Sequence, residues 1–185
     1  MLFDDYISNI NDVLKNINKK DIEIFYERLL NAIELNEPIL SFGNGGSSSI
    51  VEHLSCDFNK GVSENNKLNP FVINLPSNVA LMTAISNDIS YDEVFSKQIE
   101  WVKMDFCNVF AVSSSGNSEN IVRALRTAKS KKYETFAMVG FDGGRVKSER
   151  LADNLIHVNV NDYQLIEDSH HILMHYLTKR LMKKN

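Results

Sequence analysis

Five side chains have the types and spacing for proton transfer or metal binding. His53 and Asp57 are four apart, which on a helix places them on one face. Glu167, His171 and His175 also recur every four residues, and His170, His171 and His175 put three of the chain's five histidines within six positions. Imidazoles and carboxylates together can hold zinc or a similar divalent ion, or pass protons near neutral pH. Along a straight helix, Glu167 and His175 are about 12 Å apart at 1.5 Å per residue. Glu167 with His171 is therefore the easier pair for one ion, and these residue types leave metal binding and proton shuttling both open.

Two Gly/Ser-rich turns bear on what such a site would act upon. The apolar run Pro38-Ile39-Leu40 leads into Ser41-Phe42-Gly43-Asn44-Gly45-Gly46-Ser47-Ser48-Ser49, and a helix follows. About seventy residues later, Val109-Phe110-Ala111-Val112 leads into Ser113-Ser114-Ser115-Gly116-Asn117-Ser118, with a helix from Glu119. At a strand-to-helix turn, free backbone N–H groups and the helix dipole favour an anion, and glycines let a phosphate approach the backbone. Neither turn carries lysine, the Lys-Ser/Thr ending of a Walker loop or the dinucleotide glycine spacing. Hydroxyls and amides without a lysine suit a small sugar phosphate better than a triphosphate with magnesium.

The elements that must position these groups alternate. Residues 3–35 carry apolar positions at helical spacing and read as two helices, with Asp21 as a cap between them. Strands are predicted at 38–42, 71–75, 108–113, 135–140 and 155–160. Helices are predicted at 49–59, 78–86, 91–103, 119–131, 144–152 and 163–183, with a polar loop over 61–69. Continuous apolar strands alternating with helices imply a parallel sheet covered on both faces. The expectation is one α/β domain over residues 1–185. It comprises an N-terminal helical pair (1–35) and a three-layer core (36–185) around a five-stranded parallel flavodoxin-like sheet. Ligands in such folds gather at the carboxyl ends of the strands, where both turns fall. The N-terminal helices and the long last helix carry more apolar surface than one sheet covers, so a homo-oligomer is expected.

Composition narrows the classes further. At 43% hydrophobic and 24% charged the chain is an ordinary globular sequence. Its net charge of −4 argues against general nucleic-acid binding, and the basic run 179–184 sits where a helix C-terminus favours cations. Cys56 and Cys107 stand in no metal or redox spacing and read as buried free thiols of a reducing compartment. The residues Asp4 and Asp5 stand where a signal peptide needs basic groups, and no apolar run approaches eighteen residues. A cytoplasmic protein with no membrane partner is expected.

Taken together, these pieces resemble the sugar isomerase (SIS) domain family, and within it the sedoheptulose 7-phosphate (phosphoheptose) isomerases. The resemblance rests on Gly43-Asn44-Gly45-Gly46-Ser47, Thr83-Ala84-Ile85-Ser86-Asn87-Asp88, Phe95-Ser96-Lys97-Gln98, Ser113-Ser114-Ser115-Gly116-Asn117-Ser118, the N-terminal helices and the final helix. It implies that Asn44, Gly45, Gly46, Ser47, Ser113, Ser114, Ser115 and Ser118 bind the substrate and its phosphate, with Asp88 near the sugar hydroxyls. It implies a divalent metal, zinc in some members, at His53, Asp57, Glu167 and His175, and proton transfer by Asp57 and His175. It implies a ketose–aldose interconversion through an enediol, from sedoheptulose 7-phosphate to D-glycero-D-manno-heptose 7-phosphate, in a tetramer making heptose for a cell-surface polysaccharide. This sequence departs from the family pattern at three places: Asp57 stands for Glu, Glu167 for Gln, and Gly61 where an arginine is placed. Gly140-Phe141-Asp142-Gly143-Gly144 resembles instead a non-enzymatic member that binds the bacterial replication initiator and lacks the final histidine. His175 favours the enzyme over that phosphosugar-binding or protein-interaction alternative.

Overall fold

In the computed structural model, which describes residues 2–184, five strands form one parallel sheet. They are β1 (Ile39–Gly43), β2 (Val72–Asn74), β3 (Asn108–Ser113), β4 (Glu134–Val139) and β5 (Asn154–His157). Their order is β2-β1-β3-β4-β5, the flavodoxin-like arrangement expected. The helices are α1 (Phe3–Asn16), α2 (Lys19–Glu34), α3 (Gly46–Cys56), α4 (Ser63–Asn65), α5 (Val79–Asp88), α6 (Ser96–Trp101), α7 (Glu119–Ser130), α8 (Gly144–Ser148) and α9 (Tyr163–Met182).

Every residue of β1 and β3 is buried, as strands covered on both faces must be. Strand alternation divides their side chains between two cores. Phe110, Val112, Phe136 and Met138 join Phe25 and Leu29 of α2, Leu54 of α3 and Leu177 of α9. Val109, Ala111, Ala137 and Val139 join Ile85 of α5, Ile99 of α6 and Leu125 of α7 on the other face. Phe25 meets Phe110 and Phe136 edge-on, with ring centres 5.4 and 5.1 Å away, a geometry worth roughly 0.5–1.5 kcal/mol beyond area burial.

This layering decides where the site lies. After β1 the chain passes to α3 on one face, and after β3 it passes to α7 on the other. The two connections diverge between neighbouring parallel strands, with Gly43 in register with Val112. That divergence opens the crevice in which ligands bind in open α/β sheets, and both Gly/Ser turns border it.

Several expectations need correction. The cap of α2 is Asn18, whose side chain accepts from the Lys20 N–H, and Asp21 sits in the first turn, where the dipole favours an acid. The segment 61–69 is not all loop: α3 runs into a π-helical turn, Asp57–Val62, and then α4. The helix expected over 91–103 is a 3₁₀ turn, Tyr91–Glu93, followed by α6. Cys56 is exposed rather than buried, whereas Cys107 is buried, which pushes its thiol up to about 12.

Helix α1 packs on α9 at the edge of the fold, where the Tyr6 hydroxyl donates to Asp168 Oδ2 at 2.6 Å. None of its fourteen residues is buried, and Leu2, Phe3 and Ile7 are exposed. Among the described residues, no helix is long and apolar enough to cross a membrane.

Candidate active site

The first turn is built by close backbone approach. A side chain at Gly43 would come within 2.8 Å of the Ser47 carbonyl group and 2.9 Å of the Val112 carbonyl oxygen. Gly45 takes a positive φ of 54° and caps α3, which therefore begins at Gly46 and not at residue 49. Ser47, Ser48 and Ser49 thus lie in the helix's first turn, where the Ser48 and Ser49 N–H groups donate back to the Gly45 carbonyl and the helix dipole favours an anion.

The second turn is braced from behind. Gly116, at φ 62°, donates its N–H to Ser113 Oγ at 3.1 Å. It passes so close to Gly143 that a Cβ would lie 2.3 Å from that carbonyl oxygen. Val146 N–H donates to the Gly116 carbonyl, and Arg145 N–H donates to Asn117 Oδ1. The Gly140–Gly144 segment therefore supports the turn. Glu119, just after it, is held by Arg123 and Arg145, whose hydrogen bonds bring its carboxyl down to about 2.

Between the turns lies a pocket lined by Asn44, Ser47, Ser113, Ser114, Ser115, Ser118, Tyr163 and Glu167. Ser47, Ser113 and Ser114 are buried, and the Ser114 hydroxyl has no hydrogen-bond partner. A buried hydroxyl without a partner costs about 1–3 kcal/mol, and an anion accepting from it would remove that cost. Asn44 is held by Asn120, through amide contacts of 2.9 and 3.0 Å, and by the Tyr91 hydroxyl at 3.0 Å. Tyr163, Asn120 and Tyr91 were not singled out in the sequence, and nothing in their local spacing marks them. Asp88 is exposed at the end of α5, accepts from Asn87 and does not line this pocket.

A second cluster lies beside the pocket, between α3 and α9. His53 Nδ1 is 2.9 Å from His171 Nε2. The three rings of His53, His171 and His175 have centres 4.9–5.1 Å apart. The Asp57 carboxylate faces two of them, 3.5 Å from His53 Nε2 and 3.9 Å from His175 Nε2. Burial, then the neighbouring His175 and His53, lower the His171 pKa from the ordinary imidazole value. An imidazole so lowered can accept a proton or donate a lone pair to a cation when neutral.

Of the residues implied for a metal, His53, Asp57 and His175 stand together. Glu167 lies apart, its carboxylate against Gly46 at the start of α3, where a Cβ would come within 2.5 Å of it. Among the described residues, the group whose donor atoms all lie within 4.8 Å of one another is His53, His171 and His175. His170 faces the core, where complete burial pushes its pKa down to about 4. Three imidazoles beside a carboxylate fit a zinc-like cation by their donor chemistry. Asp57 opens the π-helical turn, a local rewinding that recurs at functional sites.

Four residues on α9 rise about 6 Å, and six on α3 about 9 Å. That separates Glu167 and Ser47, at the hydroxyl pocket, from His171 and His53. The arrangement can hold a phosphate at one end and move protons at the other.

Comparison with known proteins agrees with this chemistry. The SIS domain model matches residues 5–140. A probable phosphoheptose isomerase of Thermoplasma volcanium is 32% identical over 173 residues, spanning 94% of this chain and 87% of that protein. The phosphoheptose isomerase of Colwellia psychrerythraea is 37% identical over 142 residues, spanning 75% of this chain and 71% of that protein. The solved structure of the phosphoheptose isomerase of Neisseria gonorrhoeae superposes with a TM-score of 0.84 at 25% identity, covering 94% and 91% of the two chains. With the family model spanning both Gly/Ser turns and relatives matching along nearly the whole chain, this protein belongs to the SIS domain family.

Proposed function

We propose that this chain is an aldose–ketose isomerase that interconverts sedoheptulose 7-phosphate and D-glycero-D-manno-heptose 7-phosphate. The observation that carries the reading is a lysine-free pocket of buried serine hydroxyls next to a carboxylate–imidazole cluster, in a chain similar along its length to phosphoheptose isomerases. Ser47 and the Ser113–Ser118 turn hold the phosphate, and Asn44, Gly45 and Gly46 present backbone and amide groups beside it. Asp88 is assigned to the sugar hydroxyls by resemblance alone.

Asp57 takes a proton from C1 of the ketose while the carbonyl oxygen at C2 gains one, forming a 1,2-enediol. Return of a proton to C2, with loss of one from the C1 hydroxyl, completes the aldose. His175 is the partner group in these transfers. A divalent ion, zinc by resemblance, would supply Lewis-acid stabilisation of the developing oxyanion, with His53 and His175 beside Asp57 to hold it. Glu167, implied as a fourth ligand, sits nearer the pocket. Two unpaired cysteines support a reducing, cytoplasmic setting. The step toward a cell-surface polysaccharide rests on family analogy.

The test is incubation with sedoheptulose 7-phosphate and several hexose phosphates, with and without zinc, followed by NMR of the products. The heptose phosphate is expected to be turned over fastest. Turnover of a hexose phosphate alone, or of none, would overturn the assignment.

A homo-oligomer, a tetramer by resemblance, is part of the same proposal. The exposed Leu2 just before α1, Phe3 and Ile7 on α1, and Ile172 and Tyr176 on α9 support it as an apolar surface in need of a partner. Light scattering is expected to give a multiple of 21.1 kDa; a monomer at micromolar concentration would refute it.

A further inference from the structure

We propose that His171 is a metal ligand in this chain, so that the divalent ion sits on three imidazoles, His53, His171 and His175, with Asp57 outside the coordination set and Glu167 left to the phosphate pocket. The inference rests on the cluster being a metal site and is independent of which sugar is turned over.

Among the described residues the donor atoms of His53, His171 and His175 all lie within 4.8 Å of one another, and Glu167 is not in that group. With metal–nitrogen bonds of about 2 Å and each ring centre roughly 1 Å farther out, three imidazoles on a tetrahedral ion have centres about 5 Å apart. Facial ligands on an octahedral ion would bring the centres to about 4.2 Å at the same bond length. The observed separations are 5.1, 5.0 and 4.9 Å. Two nitrogens on a tetrahedral ion lie roughly 3.3 Å apart, and His53 Nδ1 and His171 Nε2 are 2.9 Å apart. The two nitrogens face each other as a hydrogen-bonded pair, their ring centres separated by about that contact plus the two ring radii, so both rings must turn toward a common point to take up an ion.

Asp57 completes the arrangement from behind. When His53 uses Nδ1 for the ion, its Nε2 remains turned toward Asp57 Oδ1 at 3.5 Å. A carboxylate behind a ligating imidazole fixes the ring's orientation and raises its basicity. Glu167 is one turn nearer the start of α9, and its carboxylate rests on Gly46 beside the serine pocket. Three imidazoles and one open position make the donor set of a catalytic zinc site.

Zinc affinity of the chelator-stripped full chain, measured by competition with a chromophoric chelator and with no sugar present, tests this. One ion per subunit is expected. His171→Ala and His171→Asn should each weaken binding by about 100-fold or more, at or above the upper end of what loss of an outer-sphere partner costs. Glu167→Gln should change affinity by less than about threefold, because an outer group that does not orient a ligand contributes little. Circular dichroism of the half-buried His171 variants controls for folding. Cobalt(II) in the wild type should show the intense visible bands of a four-coordinate ion, and His171→Ala should lose them. Wild-type affinity in both His171 variants, an equal loss in Glu167→Gln, or no zinc uptake by the wild type would each overturn the proposal. Turnover of an unexpected sugar would leave these affinities untouched, so the two readings fail separately.

Discussion

Replacing His175 by Ala is expected to lower kcat by about 10³-fold, within the 10²–10⁴ range for loss of a positioned proton-transfer group. His175 is exposed on α9, and its described contacts are with Asp57, His53 and His171. Its removal leaves no cavity in either core, so the melting temperature should barely move, as for surface substitutions within about 0.5 kcal/mol. The serine pocket proposed for the phosphate lies about 12 Å away along α9, counting 1.5 Å per residue from Glu167 to His175, so inorganic phosphate should inhibit, or bind, as it does in the wild type. Steady-state kinetics with a parallel thermal melt would separate these effects. A variant retaining activity within a few-fold would remove His175 from the mechanism and favour a binding role for the protein.

The second large effect is expected from lengthening Asp57. The family pattern carries Glu there, so Asp57→Glu looks like a restoration; the site says otherwise. The carboxylate already lies between two imidazoles, 3.5 Å from His53 Nε2 and 3.9 Å from His175 Nε2. It projects from the first residue of the π-helical turn, and its side chain is only a quarter exposed. One more methylene would drive the carboxylate into those rings or swing it away from them. A displacement of about 1 Å from the reacting proton costs on the order of 100-fold. Asp57→Glu is therefore expected to lower kcat by about 100-fold with little change in stability. Asp57→Asn, which keeps the size and removes the base, should lose more. Wild-type or higher activity in Asp57→Glu would show that the pocket still accommodates the longer acid.

Much of the architecture was legible in the chain because it depends on short-range chemistry. Apolar runs such as Val109–Val112 bury on both faces only in a helix-covered parallel sheet, so the strand regions follow from composition. Of the five, the limits of β3 were anticipated at 108–113, and the others lie within one to three residues at each end. The strong glycine–serine turns also show locally, since a positive φ at Gly45 and Gly116 and close backbone approach at Gly43 each demand glycine.

Other features carried no local signal. The π-helical turn begins within a sequence that reads as ordinary helix running into polar loop. What sustains it lies elsewhere in the chain: Phe58 and Val62 bury in the core, and Asn59 pairs with the edge strand at Val72. The exposure of Cys56 likewise depends on which face of α3 the sheet takes. Periodicity placed Glu167, His171 and His175 on one side of one helix. Which of them meets His53 depends on how α3 and α9 cross, a matter of long-range packing around Leu54, Leu173 and Leu177. The sequence by itself thus determined the fold class, the two glycine–serine turns and the stock of acids and imidazoles. Only the tertiary structure decided that His171 joins His53 and His175 while Glu167 turns to the pocket. Helical spacing sets which residues share a face, but the packing of two helices from opposite ends of the chain sets which of those residues touch.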